Sequence, residues 1–215
     1  MKNEESAARC VDAMEKLADN TYPIHELIKK RWSPRAFAER PVEHDKLRSL
    51  FEAARWAPSS NNAQPWSFVV TTKEDRSAYD RLLGCMSKKN QRWARLAPVL
   101  VLSIASLYFP ETGEIDRLGL YGLGLAVENL VTQATALGLY VHQAGGFSKE
   151  CAQKAFDIPE GREPVDVIAI GYLGDPKSLP DDLREQELTP RTRKPLMEFV
   201  FSERWGNVSP IVRSK

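Results

Sequence analysis

Two apolar runs constrain this chain more than anything else in it. Pro98 to Ala105 (PVLVLSIA) and Val165 to Leu173 (VDVIAIGYL) are nearly unbroken by polar residues. A strand with one wet face alternates apolar and polar side chains, so these runs predict strands covered on both faces. Trp66 to Thr72 (WSFVVTT) predicts another strand by its β-branched and aromatic content, and Leu139 to Gln143 a short one. Helical patterns lie between them. An amphipathic helix is expected over residues 3–20, with Val11, Met14, Leu17 and Ala18 on one face, and a short basic helix from Ile24 to Lys30. After Pro41-Val42 comes a helix with the stripe Leu47, Leu50, Phe51 and Ala54, stopped by Pro58. Residues 75–95 read as two short helices broken near Gly84, residues 116–137 as a long helix ending at Gly138, and residues 149–156 as another. Strands alternating with helices predict an α+β or α/β domain with both sheet faces covered. Beyond Gly174 the composition turns polar around Pro176, Pro180, Pro190 and Pro195. This tail is too Pro-rich for a simple helix and is suited to wrapping a neighbour.

The 215 residues suit one domain or a tightly packed pair. Thirty Lys and Arg against 29 Asp and Glu leave a formal charge of +1, which argues against a general basic nucleic-acid binder. The N-terminus lacks an apolar core of signal-peptide length. The longest apolar stretch, Leu118 to Val127, is broken by three glycines and a tyrosine and is too short to span a bilayer. A cytoplasmic location is expected, with neither nucleic acid nor membrane as partner. Cys10, Cys85 and Cys151 are widely spaced and read as free thiols, and His25, His44 and His142 are scattered. No metal site is expected from them.

Gly119, Gly122 and Gly124 form a G-x-x-G-x-G pattern, but no strand precedes it as a dinucleotide fingerprint requires. They read instead as small residues that let helices approach closely, including across a subunit interface. In Arg31-Trp32-Ser33-Pro34-Arg35, Pro34 disfavours helix at Ser33. In an extended segment residues 31, 33 and 35 share a side, giving two guanidinium forks around one hydroxyl. Such a group suits a phosphate dianion; a solvated basic surface is the plainer reading. The loop Pro58-Ser59-Ser60-Asn61-Asn62-Ala63-Gln64-Pro65 offers compact donors and acceptors in a shape held by prolines. It is suited either to the edge of a flat heterocycle or simply to a polar turn after a helix.

Taken in order, these residues resemble the FMN-dependent nitroreductase family. The resemblance begins with Arg31-x-Ser33-x-Arg35-x-Phe37 and Pro58-Ser59-Ser60-x-Asn62-x-Gln64-Pro65-Trp66. It continues through Gly145-Gly146-Phe147, then Ile170-Gly171-Tyr172-Leu173-Gly174, then Arg191-Thr192-Arg193, covering roughly residues 24–200. It implies an α+β sandwich with a central mixed sheet in an intertwined homodimer. A helical extension would occupy 1–22, and the FMN-binding domain 23–215 with a C-terminal arm at 175–215. It implies that Arg31, Ser33, Arg35, Arg191 and Arg193 hold the FMN phosphate, and that Pro58, Ser59, Ser60, Asn62 and Gln64 lie against the partner's flavin. Gly145 and Gly146 would bring backbone to flavin N5 and O4, with Asn90 near the ring's polar edge. Tyr108 and Phe109 are candidates to cover the site. Two departures stand out: Trp32 replaces an arginine of many members, and Gly145 a glutamate of some.

The resemblance further implies a ping-pong oxidoreductase: NADH or NADPH reduces the flavin by hydride transfer to N5, then a nitroaromatic, quinone or related flat acceptor takes the electrons. No catalytic side chain is expected, since the flavin carries the chemistry. The alternatives are reductive dehalogenation or flavin fragmentation on the same scaffold, or a non-catalytic flavin-binding protein.

Overall fold

The computed structural model describes residues 16–109 and 111–213. Four strands, β1 (Trp66–Thr72), β2 (Val99–Ser106), β3 (Tyr140–Ala144) and β4 (Arg162–Gly171), form one sheet in the order β1-β2-β4-β3. The α+β class is as expected. The mixed pairing is not found among the described residues, where all three strand pairs are antiparallel. Strand direction depends on which edges meet, and local composition does not encode it. Because β4 enters between β2 and β3, the helix that connects those two must cross over the sheet.

Alternation along the central strands divides the core. In β2, Leu100, Leu102 and Ile104 face one side with Val167 and Ala169 of β4. Val99, Val101 and Ala105 face the other with Ile168 and Ile170. Helices α3 (Arg76–Cys85), α4 (Lys88–Ala94), α6 (Lys149–Ala155) and α7 (Asp181–Leu188) cover the first face through Tyr79, Leu82, Trp93, Ala152 and Leu183. Helices α2 (His44–Arg55) and α5 (Gly119–Ala136) cover the second through Leu47, Leu50, Leu123, Val127, Leu130 and Val131. Each such aliphatic side chain removed from water contributes about 1.5–3 kcal/mol. The remaining helix, α1 (Glu26–Lys30), starts at His25, whose Nδ1 accepts from Leu27 N at 3.2 Å.

Several expectations need correction. The break between α3 and α4 falls at Met86-Ser87, not Gly84: Met86 is extended, and the Ser87 hydroxyl accepts from Asn90 N to start α4. Residues 3–15 of the expected N-terminal helix lie outside the described residues, and residues 16–20 are not helical. Tertiary contacts hold them instead: Ala18 N donates to Lys29 O at 2.9 Å and Lys16 Nζ to Glu187 O at 2.6 Å. The polar tail contains α7, opened by Pro180, with Asp181 and Asp182 in its first turn, where carboxylates favour the helix dipole. Cys85 and Cys151, read as free thiols, form a disulfide with Cα atoms 5.4 Å apart. A separation of 66 residues carried no local signal, and the cysteines meet only because α3 and α6 pack on the same sheet face.

Two of the α5 glycines, Gly119 and Gly122, meet a strand end and a loop proline rather than another helix, while Gly124 faces open space. A Cβ on Gly119 would lie 2.2 Å from Ser106 O, and one on Gly122 would lie 2.9 Å from Pro65 Cγ. The helix can therefore lie directly on the end of β2 and on the proline that closes the Pro58–Pro65 loop. Among the described residues, no helix is long and apolar enough to cross a membrane.

Candidate active site

Residues 31–35 leave α1 as an extended segment in which burial alternates. Trp32, Pro34 and Ala36 are buried while Arg31, Ser33 and Arg35 are half-exposed, as the shared-side reading requires. The Trp32 ring meets Tyr140 edge-on at 6.1 Å and carries the Lys16 ammonium 4.7 Å from its centroid. Opposite this segment, residues at the end of α7 and just beyond it close a cavity of about 250 Å³. Arg31, Ser33, Arg35, Arg191 and Arg193 all line it. The two basic pairs predicted from sequence therefore converge on one space.

The segment is held by groups the sequence reading did not select. Glu187, on α7 and 1% exposed, accepts from the backbone N–H of Arg35 at 2.9 and 3.0 Å and of Ala36 at 3.1 Å. His142, on β3, lies with Nδ1 2.8 Å from Pro34 O, which places its proton on Nδ1 as the donor. Its ring packs against Trp93 at 4.2 Å. Burial pushes its pKa down to about 4, opposed by the Pro34 carbonyl and reinforced by nearby Arg35. Arg191 donates to the carbonyls of Arg31 and, at 2.8 Å, of Lys29. In this way the chain's late segment is tied to its early one.

The cavity is cationic beyond what its own acid offsets. Burial lowers the pKa of Arg31, Glu128 opposes this, and Arg193 adds to it. Arg191 is lowered by burial, then by Arg31 and Arg193. For Lys16, burial is again the largest cause, opposed by Glu187 and followed by Arg191 and Arg35. Desolvated like charges this close favour an incoming anion. Arg191 Nε is moreover buried with no hydrogen-bond partner. An orphaned buried donor in a cationic cavity fits a missing acceptor.

Three residues along β3 from His142, about 10 Å at strand rise, the chain reaches Gly145 and Gly146. Gly146 O accepts from Ser87 N at 2.9 Å and from Asn90 Nδ2 at 3.1 Å. A Cβ on Gly146 would lie 2.6 Å from Asn90 Nδ2 and would displace the amide that donates to the Gly146 carbonyl, while Gly145 faces open space. Asn90 Oδ1 accepts in turn from Trp93 Nε1 at 3.3 Å.

The Pro58–Gln64 loop lies apart from the arginine cavity. Ser59 Oγ accepts from Gln64 N at 3.0 Å, and Gln64 Nε2 donates to Asn62 O at 3.1 Å. Asn61, Asn62 and Gln64 all have left-handed backbones, with φ of 50, 55 and 48°. Asn61, Asn62 and Phe109 line a separate cavity of about 160 Å³. Tyr108 instead packs its ring over Gly161. A larger cavity, about 670 Å³ between Pro41, Val42, Lys73 and Pro98, contains none of the predicted site residues.

The sequence model of the nitroreductase family matches residues 28–172. This chain belongs to that family. A solved structure described as an oxidoreductase containing FMN is 35% identical with a TM-score of 0.82, over 87% of this chain and 96% of that one. A nitroreductase family protein from Clostridium difficile is 27% identical with a TM-score of 0.65, over 83% and 97%. A Ralstonia nicotianae protein named "Putative NADH dehydrogenase/NAD(P)H nitroreductase" is 26% identical over 69% of this chain and 85% of its own. In this member of the nitroreductase family, the overlooked props are Glu187, His142 and Lys16. Glu187 could have been suspected from its position four residues after Leu183, on the buried side of a short helical window.

Proposed function

We propose that this chain is one protomer of an FMN-dependent oxidoreductase that uses NADH or NADPH to reduce nitroaromatics, quinones or similar flat acceptors. One observation carries the reading: four arginines line a small cavity in which Arg191 Nε is buried without an acceptor. A phosphate monoester dianion supplies both the missing acceptor and the missing charge, so the residues present fit FMN. The relatives' names, with NAD(P)H and FMN in them, point the same way.

When bound, FMN supplies the hydride chemistry between nicotinamide and acceptor. The chain's own part is binding and orientation. Arg31, Ser33, Arg35, Arg191 and Arg193 would hold the phosphate, with Glu187 and His142 fixing the backbone between the first arginines. Gly145 and Gly146, lacking Cβ atoms, would let backbone groups reach the ring's polar edge, and Asn90 holds that backbone through the Gly146 carbonyl. No side-chain acid or base is assigned to the reaction.

The reading includes a homodimer in which Pro58, Ser59, Ser60, Asn62 and Gln64 serve the partner's flavin. Two features support it. The loop is separate from the arginine cavity of its own chain, and the C-terminal arm exposes Met197, Phe199, Trp205 (94%) and Ile211 (82%) to water. An apolar set of that kind suits burial against a second copy. Light scattering reporting a single 24.3 kDa chain would overturn the dimer. The flavin reading is tested by absorbance of the purified protein and by anaerobic bleaching with NADH or NADPH. A colourless protein that takes up no added FMN would overturn it.

A further inference from the structure

Cys85 ends α3, and Cys151 lies in the first turn of α6. The segments that follow Cys85 and precede Cys151 run side by side. Ser148 N donates to Cys85 O at 2.9 Å, Met86 and Phe147 form an isolated β-bridge, and Ser87 N and Asn90 Nδ2 both donate to Gly146 O. Ser148 Oγ also accepts from Cys151 N at 3.1 Å, so one residue both joins the segments and starts the helix that carries the second sulfur. Every tie on the Gly146–Ser148 stretch thus lies within a few residues of the disulfide. Cys85 is buried at 4% exposure and Cys151 is half-buried, so attack from solvent is directed to the Cys151 sulfur.

We propose that Cys85–Cys151 is a redox-reversible latch, opened by small thiols, that holds the Gly145–Ser148 segment in its flavin-binding geometry. The flavin half of this rests on the role proposed above for Gly145 and Gly146. In opening, a thiolate attacks Cys151 Sγ, the Cys85–Cys151 bond breaks, and Cys85 leaves as a thiolate that takes a proton. A second thiolate then attacks the external sulfur of the mixed disulfide and expels Cys151, which is likewise protonated. Two thiols are oxidised to one disulfide, and the protein gains two electrons and two protons. Closing is the reverse exchange with a small disulfide such as oxidised glutathione. If the closed latch raises FMN affinity, bound FMN resists reduction of the latch by the same factor.

The test uses the full chain, treated either with oxidised glutathione or with dithiothreitol, then denatured and alkylated with iodoacetamide. Cys85 and Cys151 are expected to escape alkylation in the first case, and all three cysteines to be alkylated in the second. Before denaturation, peptides spanning 85–90 and 145–151 are expected to exchange amide hydrogen about tenfold faster in the reduced protein. FMN affinity, read by flavin fluorescence, is expected to fall about fivefold or more on reduction. Cys85→Ser should reproduce both changes without reductant, and Cys10→Ser should reproduce neither. Should Cys85→Ser not fold, the comparison of oxidised and reduced wild type decides alone. Three alkylated cysteines after oxidised glutathione would overturn the latch, as would exchange rates and FMN affinity that ignore its state. Alkylation and exchange are read without flavin, so a chain that binds no FMN overturns the proposed function separately from the latch.

Discussion

The arginine cavity and the Pro58–Gln64 loop are built in opposite ways. The cavity is assembled from residues some 160 positions apart, through Arg191 on the Lys29 and Arg31 carbonyls and Glu187 under the N–H groups of Arg35 and Ala36. Its backbone is extended and relaxed, and the unfavourable element is accumulated positive charge. The loop is local, closed by contacts between near neighbours, and its unfavourable element is three non-glycine residues in the left-handed region. One region stores electrostatic repulsion and the other backbone strain. Charge can be relieved by a ligand entering a single chain, whereas the left-handed backbone of the loop is held by the loop's own contacts and no ligand of this cavity relieves it. The difference is what a site shared between two copies would need, with one copy providing the anion cradle and the other a rigid polar edge.

The contrast can be broken most directly at the arginines. Arg31→Ala with Arg35→Ala removes two charge-assisted donors, each worth about 1.5–3 kcal/mol, so FMN affinity should fall on the order of a thousandfold by fluorescence titration. Unchanged affinity would mean the cavity is not the phosphate site. A smaller effect lies with His142. Its folded pKa of about 4 lies below the ordinary value of 6.5, so its contribution is fully present above 6.5 and is lost as pH falls through 4. The loss amounts to at most about 3 kcal/mol. Denaturant titrations across that window should show this slope in the wild type and a flatter one in His142→Gln; matching slopes would remove His142 from the cradle's support. Next comes Glu187→Gln, which weakens the acceptor beneath Arg35 and Ala36 and should cost about 2 kcal/mol of unfolding free energy, read from urea titrations. FMN affinity should drop with it, because the same contacts orient the arginine segment. The smallest effect is Gln64→Gly, which relieves the left-handed backbone and should raise stability by roughly 1 kcal/mol. A loss of stability there would mean the Gln64 side chain, not the strain, dominates the loop.

The fold was legible where periodicity is local. β1 matches the WSFVVTT run, β2 and β4 match the two apolar runs, and α2 buries its predicted stripe because each pattern reports its own surroundings. What escaped depends on distant partners. Residues 16–20 give up helix for contacts with Lys29 and Glu187, α7 lies between two prolines that mask its spacing, and Cys85 finds Cys151 only after both helices have packed. The site divides along the same line. Arg31, Ser33 and Arg35 could be read from alternation, and their meeting with Arg191 and Arg193 from resemblance. Glu187 and His142 hold the arginine segment through its backbone, N–H groups in one case and a carbonyl in the other, and backbone atoms have no signature in sequence.

The insertion of β4 between β2 and β3 sets a timetable for synthesis. β3 has no neighbour in the sheet until β4 arrives, so neither the inner edge of β2 nor the crossover helix α5 can finish packing before residue 171 has left the ribosome. The anion cradle waits longer, until Arg191 and Arg193 are made. A chain cut short before them would present a largely finished sheet with only the first two arginines of the cavity, so the proposed phosphate site would depend on a segment made after the sheet is complete.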